Sequence, residues 1–593
     1  MKHLKIFLKG YRKECALAPA FKLLEALMDL LVPLVVAAII DQGIAIGDKG
    51  VIIKYFIILI IFAALGMGFS FTAQWFAAKA SVGVATDLRQ NLFDHIQSLS
   101  YTELDILGTD TLITRMTSDV NQVQNGLNLA LRLILRSPFI VFGAMIMAFT
   151  IDIKCALIFV ASIPVLSLVV FGIMLASIPL FKKAQNGLDQ LLGITRENLT
   201  GVRVIRAFCK EEEEINEFDQ RNQSLTKMNE FVGRLSAIMN PGTYLIINVA
   251  TIVLIYIGAL RVDAGLIQQG QIVALYNYMA QIIVELIKLA NLIININKSL
   301  ACADRLSNIL EIKSGMEFPE TSPAIPANGL APEDMVKFNH VTFSYAGSGD
   351  VAVSDIDFSV KKGQTIGIIG GTGSGKSTIV NLISRFYDVS QGSIEVDGRN
   401  VKDYAQGHLI EKIGLVPQRA VLFEGTIRDN LLWGNENASD EELWQAIDIA
   451  QAREVVEGKD GQLDADVEQG GRNLSGGQKQ RLTIARALVR KPEILIMDDS
   501  SSALDFATDF KLRKAVAQLK DMTVFIVSQR TSSVRNSDQI IVLDDGKLAG
   551  LGKHDDLLAT CDVYQEIYYS QFPEEAPAEW RQKIGKNIEE GLA

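Results

Sequence analysis

The chain has 593 residues, with 57 Lys and Arg against 68 Asp and Glu, a formal net charge of -11. That balance leaves no strongly basic chain to neutralise phosphates and argues against a nucleic-acid partner. Hydrophobic residues make up 49% and the mean hydropathy is +0.23, high for a chain with 21% charged residues, so the average conceals two unlike halves.

The first half is apolar. Six stretches are long enough to cross a bilayer: Leu17 to Ile40, Val51 to Phe76, Leu127 to Ile151, Cys155 to Phe181, Ile238 to Leu260 and Ile272 to Ile296. The basic start MKHLKIFLKGYRKE runs into a full-length span with no small-residue cleavage site, so it reads as no signal peptide. Its Lys2, Lys5, Lys9, Arg12 and Lys13 place the N-terminus in the cytoplasm. Short links such as TIDIK and RVDAGLIQQG join spans three to four and five to six. Long polar segments separate spans two and three, and four and five, and so also face the cytoplasm. They keep helical periodicity, as in ATDLRQNLFDHIQSL and GITRENLTGVRVIRAFCKEEEE. The helices are therefore expected to run well past the membrane and return, reversing near Tyr101 to Leu107 and near Val204 to Cys209. The run Glu211 to Glu214 reads as a solvated helix face.

Ionisable residues inside the spans are costly and must face a polar interior or an interface. Glu25 and Asp29 sit one turn apart in the first span, and Glu285 and Lys288 are spaced to pair along the sixth. Arg132 and Arg136, near the end of the third, are placed to snorkel. The cysteines Cys15, Cys155, Cys209, Cys302 and Cys561 show no paired spacing and give neither a disulfide framework nor a metal site.

Pro319, Pro323, Pro326 and Pro332 mark a linker, after which short strands and helices alternate. The expected organisation is an all-α transmembrane domain of six helices over residues 1–312, a linker over 313–334, an α/β P-loop nucleotide-binding domain over 335–572 and a tail over 573–593.

GGTGSGKST follows the apolar strand TIGIIG and precedes the helix STIVNLISRF. This is the context of a phosphate-binding loop. Gly370, Thr372, Gly373, Ser374, Gly375 and Thr378 bring backbone N–H groups to phosphates at a helix N-terminus. Lys376 neutralises the β- and γ-phosphates of ATP, and Ser377 ligates Mg²⁺. Asp498 ends the strand EILIM and is placed to hold the magnesium through water.

LSGGQKQRLTIARAL, from Leu474 to Leu488, with Gln418 in GLVPQ and the phosphate loop, resembles the ATP-binding cassette family. The resemblance covers nearly the whole chain, and the six spans with two long excursions resemble the exporter-type half-transporter. It implies that Tyr345 stacks on adenine and that Gln418 contacts Mg²⁺ and the attacking water. It implies that Ser475, Gly476, Gly477 and Gln478 grip the γ-phosphate of a nucleotide held by an opposite subunit. Asp505 would end the loop that crosses between subunits, and Val467 to Gly471 would touch the excursions.

Two positions depart from the family pattern. A glutamate follows the strand aspartate in the family; here it is Asp499. A histidine ends a later strand; here VFIVSQR gives Gln529, and His408 and His554 are far away in sequence. A general base must come within about 2.6–3.2 Å of its water, and an aspartate arm is one C–C bond shorter. A glutamine still donates a hydrogen bond but brings no positive charge to the transferring phosphoryl group. This chain's own site is expected to bind ATP and hydrolyse it slowly or not at all.

With an intact signature beside a weakened site, the resemblance implies a heterodimer with a second half-transporter, whose competent site this signature completes. The cargo implied is an amphiphile (drug, lipid or peptide) carried out across the cytoplasmic (inner) membrane, with lipid around the spans. Glu25, Asp29 and Glu285 favour cationic cargo. Two other readings stay open at this point: uptake of metal chelates by the same machine, and a catalytically silent regulatory subunit.

Overall fold

The computed structural model describes residues 7–322, 334–347, 349–577 and 580. Pro323, Pro326 and Pro332 of the linker, and most of the C-terminal tail, lie outside the described residues. The chain divides into two compact units, Met1–Gln97 with Thr109–Ile312, and Ser98–Gly108 with Lys313–Ala593.

The first unit is helical. Its elements are α1 (Arg12–Ala38), which continues as a π-helical turn over Ile39–Ile44, and α2 (Lys49–Ser98). After α3 (Tyr101–Leu107), which belongs to the second unit, come α4 (Thr109–Thr114), a π-helical turn at Arg115–Asp119, α5 (Val120–Leu133) and α6 (Arg136–Ile151). Then follow α7 (Ile153–Thr200), α8 (Val202–Ala207), α9 (Glu211–Ala237), α10 (Met239–Asp263) and α11 (Gln269–Glu311). Among the described residues six continuous runs are long and apolar enough to span a membrane, and each contains one of the spans expected from sequence. At 1.5 Å per residue, α2 and α7 reach roughly 70–75 Å, more than twice the thickness of a hydrocarbon core. Both helices therefore extend beyond any bilayer, as their periodicity predicts. The second reversal is built from a break at Gly201, the short α8 and Cys209 at φ +51°, which turns the chain into α9.

Helix α11 packs against α1, α5, α6, α7 and α10. Small residues bring it close: a Cβ on Gly126 would lie 2.0 Å from Ser299 Oγ, so α5 and α11 approach almost backbone to backbone. The fully buried Tyr278 of α11 donates its hydroxyl to the Leu30 carbonyl of α1 at 2.7 Å. At the short links, Asp152 caps α7 through Cys155 N and pairs with Arg261 of α10, while Asp41 accepts from Gly270 N of α11 at 2.6 Å.

The second unit is α/β. Its strands are β1 (Asp334–Phe343), β2 (Val353–Lys361), β3 (Thr365–Gly370), β4 (Gln391–Val396), β5 (Arg399–Asn400) and β6 (Ile413–Val416). They continue with β7 (Gly425–Thr426), β8 (Asp466–Val467), β9 (Ile494–Asp498), β10 (Thr523–Val527), β11 (Gln539–Asp544) and β12 (Lys547–Gly552). Helix α12 (Lys376–Ile383) follows β3, and α13 (Ile427–Leu432) and α14 (Asp440–Ile449) lie between β7 and β8. Helix α15 (Gly476–Val489) precedes β9, α16 (Phe506–Val516) follows it, and α17 (Asp562–Gln571) comes after β12. One sheet runs β2-β1-β4-β5 and is antiparallel; the larger runs β12-β11-β3-β10-β9-β6 and is parallel except for β12. TVFIV and ILIMD are buried at every position, as strands covered on both faces require.

Helix α3 opens with a capping box between Ser100 and Glu103 and lies against the segment that follows α12. Tyr101 packs on Phe386 with ring centres 4.6 Å apart, and Tyr387 donates to Asp105 Oδ2 at 2.6 Å. Burial, then the neighbouring Asp105 carboxylate, raise the Tyr387 phenol above its ordinary pKa, so it stays a donor at any physiological pH. Tyr387→Phe is expected to leave the fold intact and to speed amide exchange over Tyr101–Leu107 about fivefold, the loss of roughly 1 kcal/mol from one hydrogen bond. Hydrogen-exchange mass spectrometry reads this directly.

Candidate functional site

In the large sheet β10 lies between β3 and β9, β6 flanks β9, and all four run parallel. A parallel sheet brings the carboxyl ends of its strands to one edge, where ligands bind. Here that edge collects the loop after Gly370, Gln418 two residues beyond β6, Asp498 at the end of β9 and Gln529 two residues beyond β10. Together they form a cleft of about 340 Å³ whose wall includes Tyr345, Thr372 to Thr378, Gln418, Asp498, Asp499 and Gln529.

The loop has the backbone its glycines predict. Gly373 and Gly375 have φ of +82° and +93°, and a Cβ on Gly375 would come within 2.6 Å of Val353 Cγ1. Gly375→Ala adds that clash to a left-handed strain of roughly 1–3 kcal/mol. It is expected to lower nucleotide affinity at this site at least tenfold, measured by binding of a fluorescent ATP analogue. Lys376 folds back on its own loop, donating to the carbonyls of Gly370 and Gly371 at 2.9 and 2.5 Å. Burial lowers its pKa, against the attraction of Asp499 and Asp498.

Ser377 Oγ donates to Asp498 Oδ1 at 3.1 Å. Burial raises the Asp498 carboxyl, and the adjacent Asp499 adds to this, while the Ser377 bond works against it. Both acids would gain from a nearby cation. Ser377, Gln418 and Asp498 form an oxygen-only donor set, which suits a hard divalent ion such as Mg²⁺. The buried Ser374 hydroxyl has no hydrogen-bond partner among the described residues, and Gly375 offers no side-chain cap to α12. Loop and helix end thus present donors without acceptors, and a phosphate supplies acceptors. Among the described residues no cluster of three or more His, Cys, Asp or Glu side chains is placed to hold a metal.

Asp499 has φ +44°, a conformation that aspartate tolerates better than most residues. Its N–H donates to Val527 O at 3.0 Å, and its carboxylate accepts from Gln418. Burial raises its pKa, with Gln418, Lys376 and Arg530 pulling the other way. Gln571 of α17 pins the neighbouring segment, donating to Gln529 O at 2.8 Å and accepting from Thr531 N at 2.9 Å. Tyr345 reaches Thr378 Oγ1 at 3.1 Å and stands edge-on to Phe343 and Tyr387. His408 lies against Ser322, and His554 against Tyr564, so neither lines the cleft.

Ser475, Gly476, Gly477, Gln478 and Asp505 are not part of the cleft wall. Ser475 caps α15 in a capping box with Gln478, and Asp505 caps α16 through Thr508 N at 2.9 Å. A Cβ on Gly477 would meet Ala503 O at 3.0 Å, so the signature turn packs on the segment before Asp505. Sequence reasoning missed Gln571 and Tyr387: neither carries a motif, and only the chain's return to this edge gives them contacts.

A phosphate loop at the carboxyl edge of a parallel sheet, in a chain with six membrane-length helices, defines a membrane protein with a nucleotide-binding domain. Residues 16–286 match the ABC transporter transmembrane region and residues 353–502 match the ABC transporter family. An uncharacterised ABC transporter ATP-binding protein of Mycobacterium tuberculosis is 36% identical over 96% of this chain and 97% of its own length. One of Bacillus subtilis is 35% identical over 96% and 98%. The ATP-dependent lipid A-core flippase of Desulfotalea psychrophila is 31% identical over 87% and 89%. The chain belongs to the ABC transporter family. It is a multi-pass membrane protein and an ATP-hydrolysing transporter, related to a lipid flippase and to a putative multidrug export protein of Bacillus subtilis, 29% identical over 96% of this chain and 99% of its own length.

Proposed function

We propose that this chain is one half of a heterodimeric ATP-driven exporter of an amphiphile, set in the cytoplasmic membrane with its N-terminus and nucleotide-binding domain in the cytoplasm. Residues 1–312 form the membrane domain and 335–572 the nucleotide-binding domain. The observation that carries the reading is the split between cleft and signature: Lys376, Ser377 and Asp498 line the cleft, while Ser475 to Gln478 lie off its wall. A second chain would then complete this cleft and receive this signature, and Asp499 and Gln529, in place of the family's glutamate and histidine, support a partner different from this chain.

In the cleft, Lys376, Thr378 and the loop N–H groups hold the phosphates, Tyr345 the adenine, and Ser377, Gln418 and Asp498 the Mg²⁺, which screens phosphate charge. Asp499 occupies the position of the base but is turned to Gln418, and Gln529 brings no charge. Binding is kept and hydrolysis is weak. The partner carries the glutamate and histidine, and a nucleotide retained here holds the two domains together while the partner's site cycles. Alternation of access follows if ATP binds one arrangement better than the other. The relationship to a lipid A-core flippase supports an amphiphilic cargo.

The test is ATPase activity in lipid, for this chain alone and for this chain co-expressed with the product of its neighbouring gene. Negligible turnover alone and at least tenfold more together is the expected outcome. Vigorous turnover of the lone chain, abolished by Asp499→Asn, would establish a homodimer with Asp499 as base and overturn the reading.

A further inference from the structure

Within the first unit, α1, α6 and α11 line an open pocket of about 510 Å³. Its apolar wall includes Val32, Val36, Ile140 and Val284; its polar wall is Asp29, Arg136, Asn277, Gln281, Glu285 and Lys288. Arg136 does not snorkel. It donates to Glu285 Oε1 at 2.8 Å and to Asp29 Oδ2 at 2.9 Å, joining all three helices. Ser137 donates to Glu285 Oε2 at 2.8 Å and Lys288 to Glu285 Oε1 at 2.9 Å, the pairing its spacing predicts. Lys22 pairs with Glu25 at 2.5 Å one turn away.

Three carboxylates, Glu25, Asp29 and Glu285, are thus matched by three cations, Lys22, Arg136 and Lys288. The preference for cations that the acids alone predict is cancelled by the chain itself. The centre of the network is sealed: the side chains of Arg136 and Glu285 are 12% and 5% exposed. Its two ends are open, with Asp29 at 43% and Lys288 at 46%. Asp29 uses one carboxylate oxygen for Arg136, and Lys288 one of its three ammonium protons for Glu285. Gln281, on the same wall, has a buried amide oxygen that accepts no hydrogen bond among the described residues.

We infer that this pocket receives the head of a zwitterionic amphiphile, its cationic group on Asp29 and its anionic group on Lys288, with its tail along the apolar wall. A net charge added to a neutral network at membrane depth is costly, whereas a head carrying both signs leaves the pocket neutral and gives each open end its counter-charge. The volume lies within the range of small-ligand sites. The inference deepens the proposed export function and takes its cargo from it.

The test uses the full-length protein with its partner in neutral maltoside micelles without nucleotide. It compares three radiolabelled dodecyl amphiphiles that share a tail: dodecylphosphocholine, dodecyltrimethylammonium and dodecyl phosphate. The zwitterion is expected to bind at least tenfold more tightly than either ion. Asp29→Asn should move the preference to dodecyl phosphate, and Lys288→Gln to dodecyltrimethylammonium, each by about tenfold (1.4 kcal/mol). These are gains of binding, which a misfolded variant does not show. Equal binding of all three heads, or the same order in both variants, would overturn the inference. Competition by a short diacyl phosphatidylethanolamine supports a membrane lipid as the source; competition by single-chain zwitterions alone supports a non-lipid amphiphile. ATPase stimulated equally by all three heads would keep the export function and remove this site. Selective binding with no ATPase response would keep the site and remove the export function.

Discussion

Asp499→Glu combined with Gln529→His is expected to turn the lone chain, purified in lipid, from a near-silent ATP binder into an active ATPase. The gain should be roughly 10²–10⁴-fold in turnover, the usual worth of a positioned general base, with the histidine's charge on the transferring phosphoryl included. The lone chain is the right vehicle because its signature, Leu474 to Gln478, is intact and caps α15 as an ordered turn. A pair of such chains would supply every remaining part. Asp499→Glu alone should yield part of the gain, since Gln529 would still leave the phosphoryl charge uncompensated. The left-handed φ of +44° at this position is less favourable for glutamate than for aspartate, which makes a small loss of stability the accompanying result. Turnover unchanged by the double substitution, in a chain that already hydrolyses ATP, would show that Asp499 is a sufficient base.

Removing one side chain from the membrane network should cost more stability than any substitution on the surface. Arg136→Leu leaves Asp29 without a cation and leaves Glu285, nearly sealed from solvent, with Lys288 alone. Breaking a buried ion pair on one side costs about 3–5 kcal/mol. A large fall in thermal stability in detergent is therefore expected. Arg136→Lys keeps the charge but loses the fork that reaches two carboxylates at 2.8 and 2.9 Å, and should fall between wild type and Arg136→Leu. The fourfold change Arg136→Leu, Asp29→Asn, Glu285→Gln, Lys288→Gln removes two charges of each sign and should recover most of the loss. If the single and fourfold variants were equally unstable, packing of the guanidinium stem rather than its charge would be the cause.

The sequence settled whatever is encoded within one turn of helix or one strand. Long apolar runs gave six membrane-length helices, and their continued periodicity gave excursions beyond the bilayer. TIGIIG followed by GGTGSGKST gave a phosphate loop, because the glycines and the lysine act over a few consecutive bonds. Asp499 and Gln529 were legible for the same reason, as single residues beside recognisable strands. Tertiary structure decided what depends on residues distant along the chain. The strand order β3-β10-β9-β6 brings Lys376, Gln418, Asp498 and Gln529 to one edge, and no local pattern states that order. It also leaves Ser475 off the cleft wall. Arg136, which by position in its span reads as a snorkelling end, is instead bonded to Asp29 and Glu285, 107 and 149 residues away. Tyr387 meets Asp105 across 282 residues. Periodicity records which face of an element is buried, but ion pairs and strand neighbours are fixed only when the packed chain brings their charges and edges together.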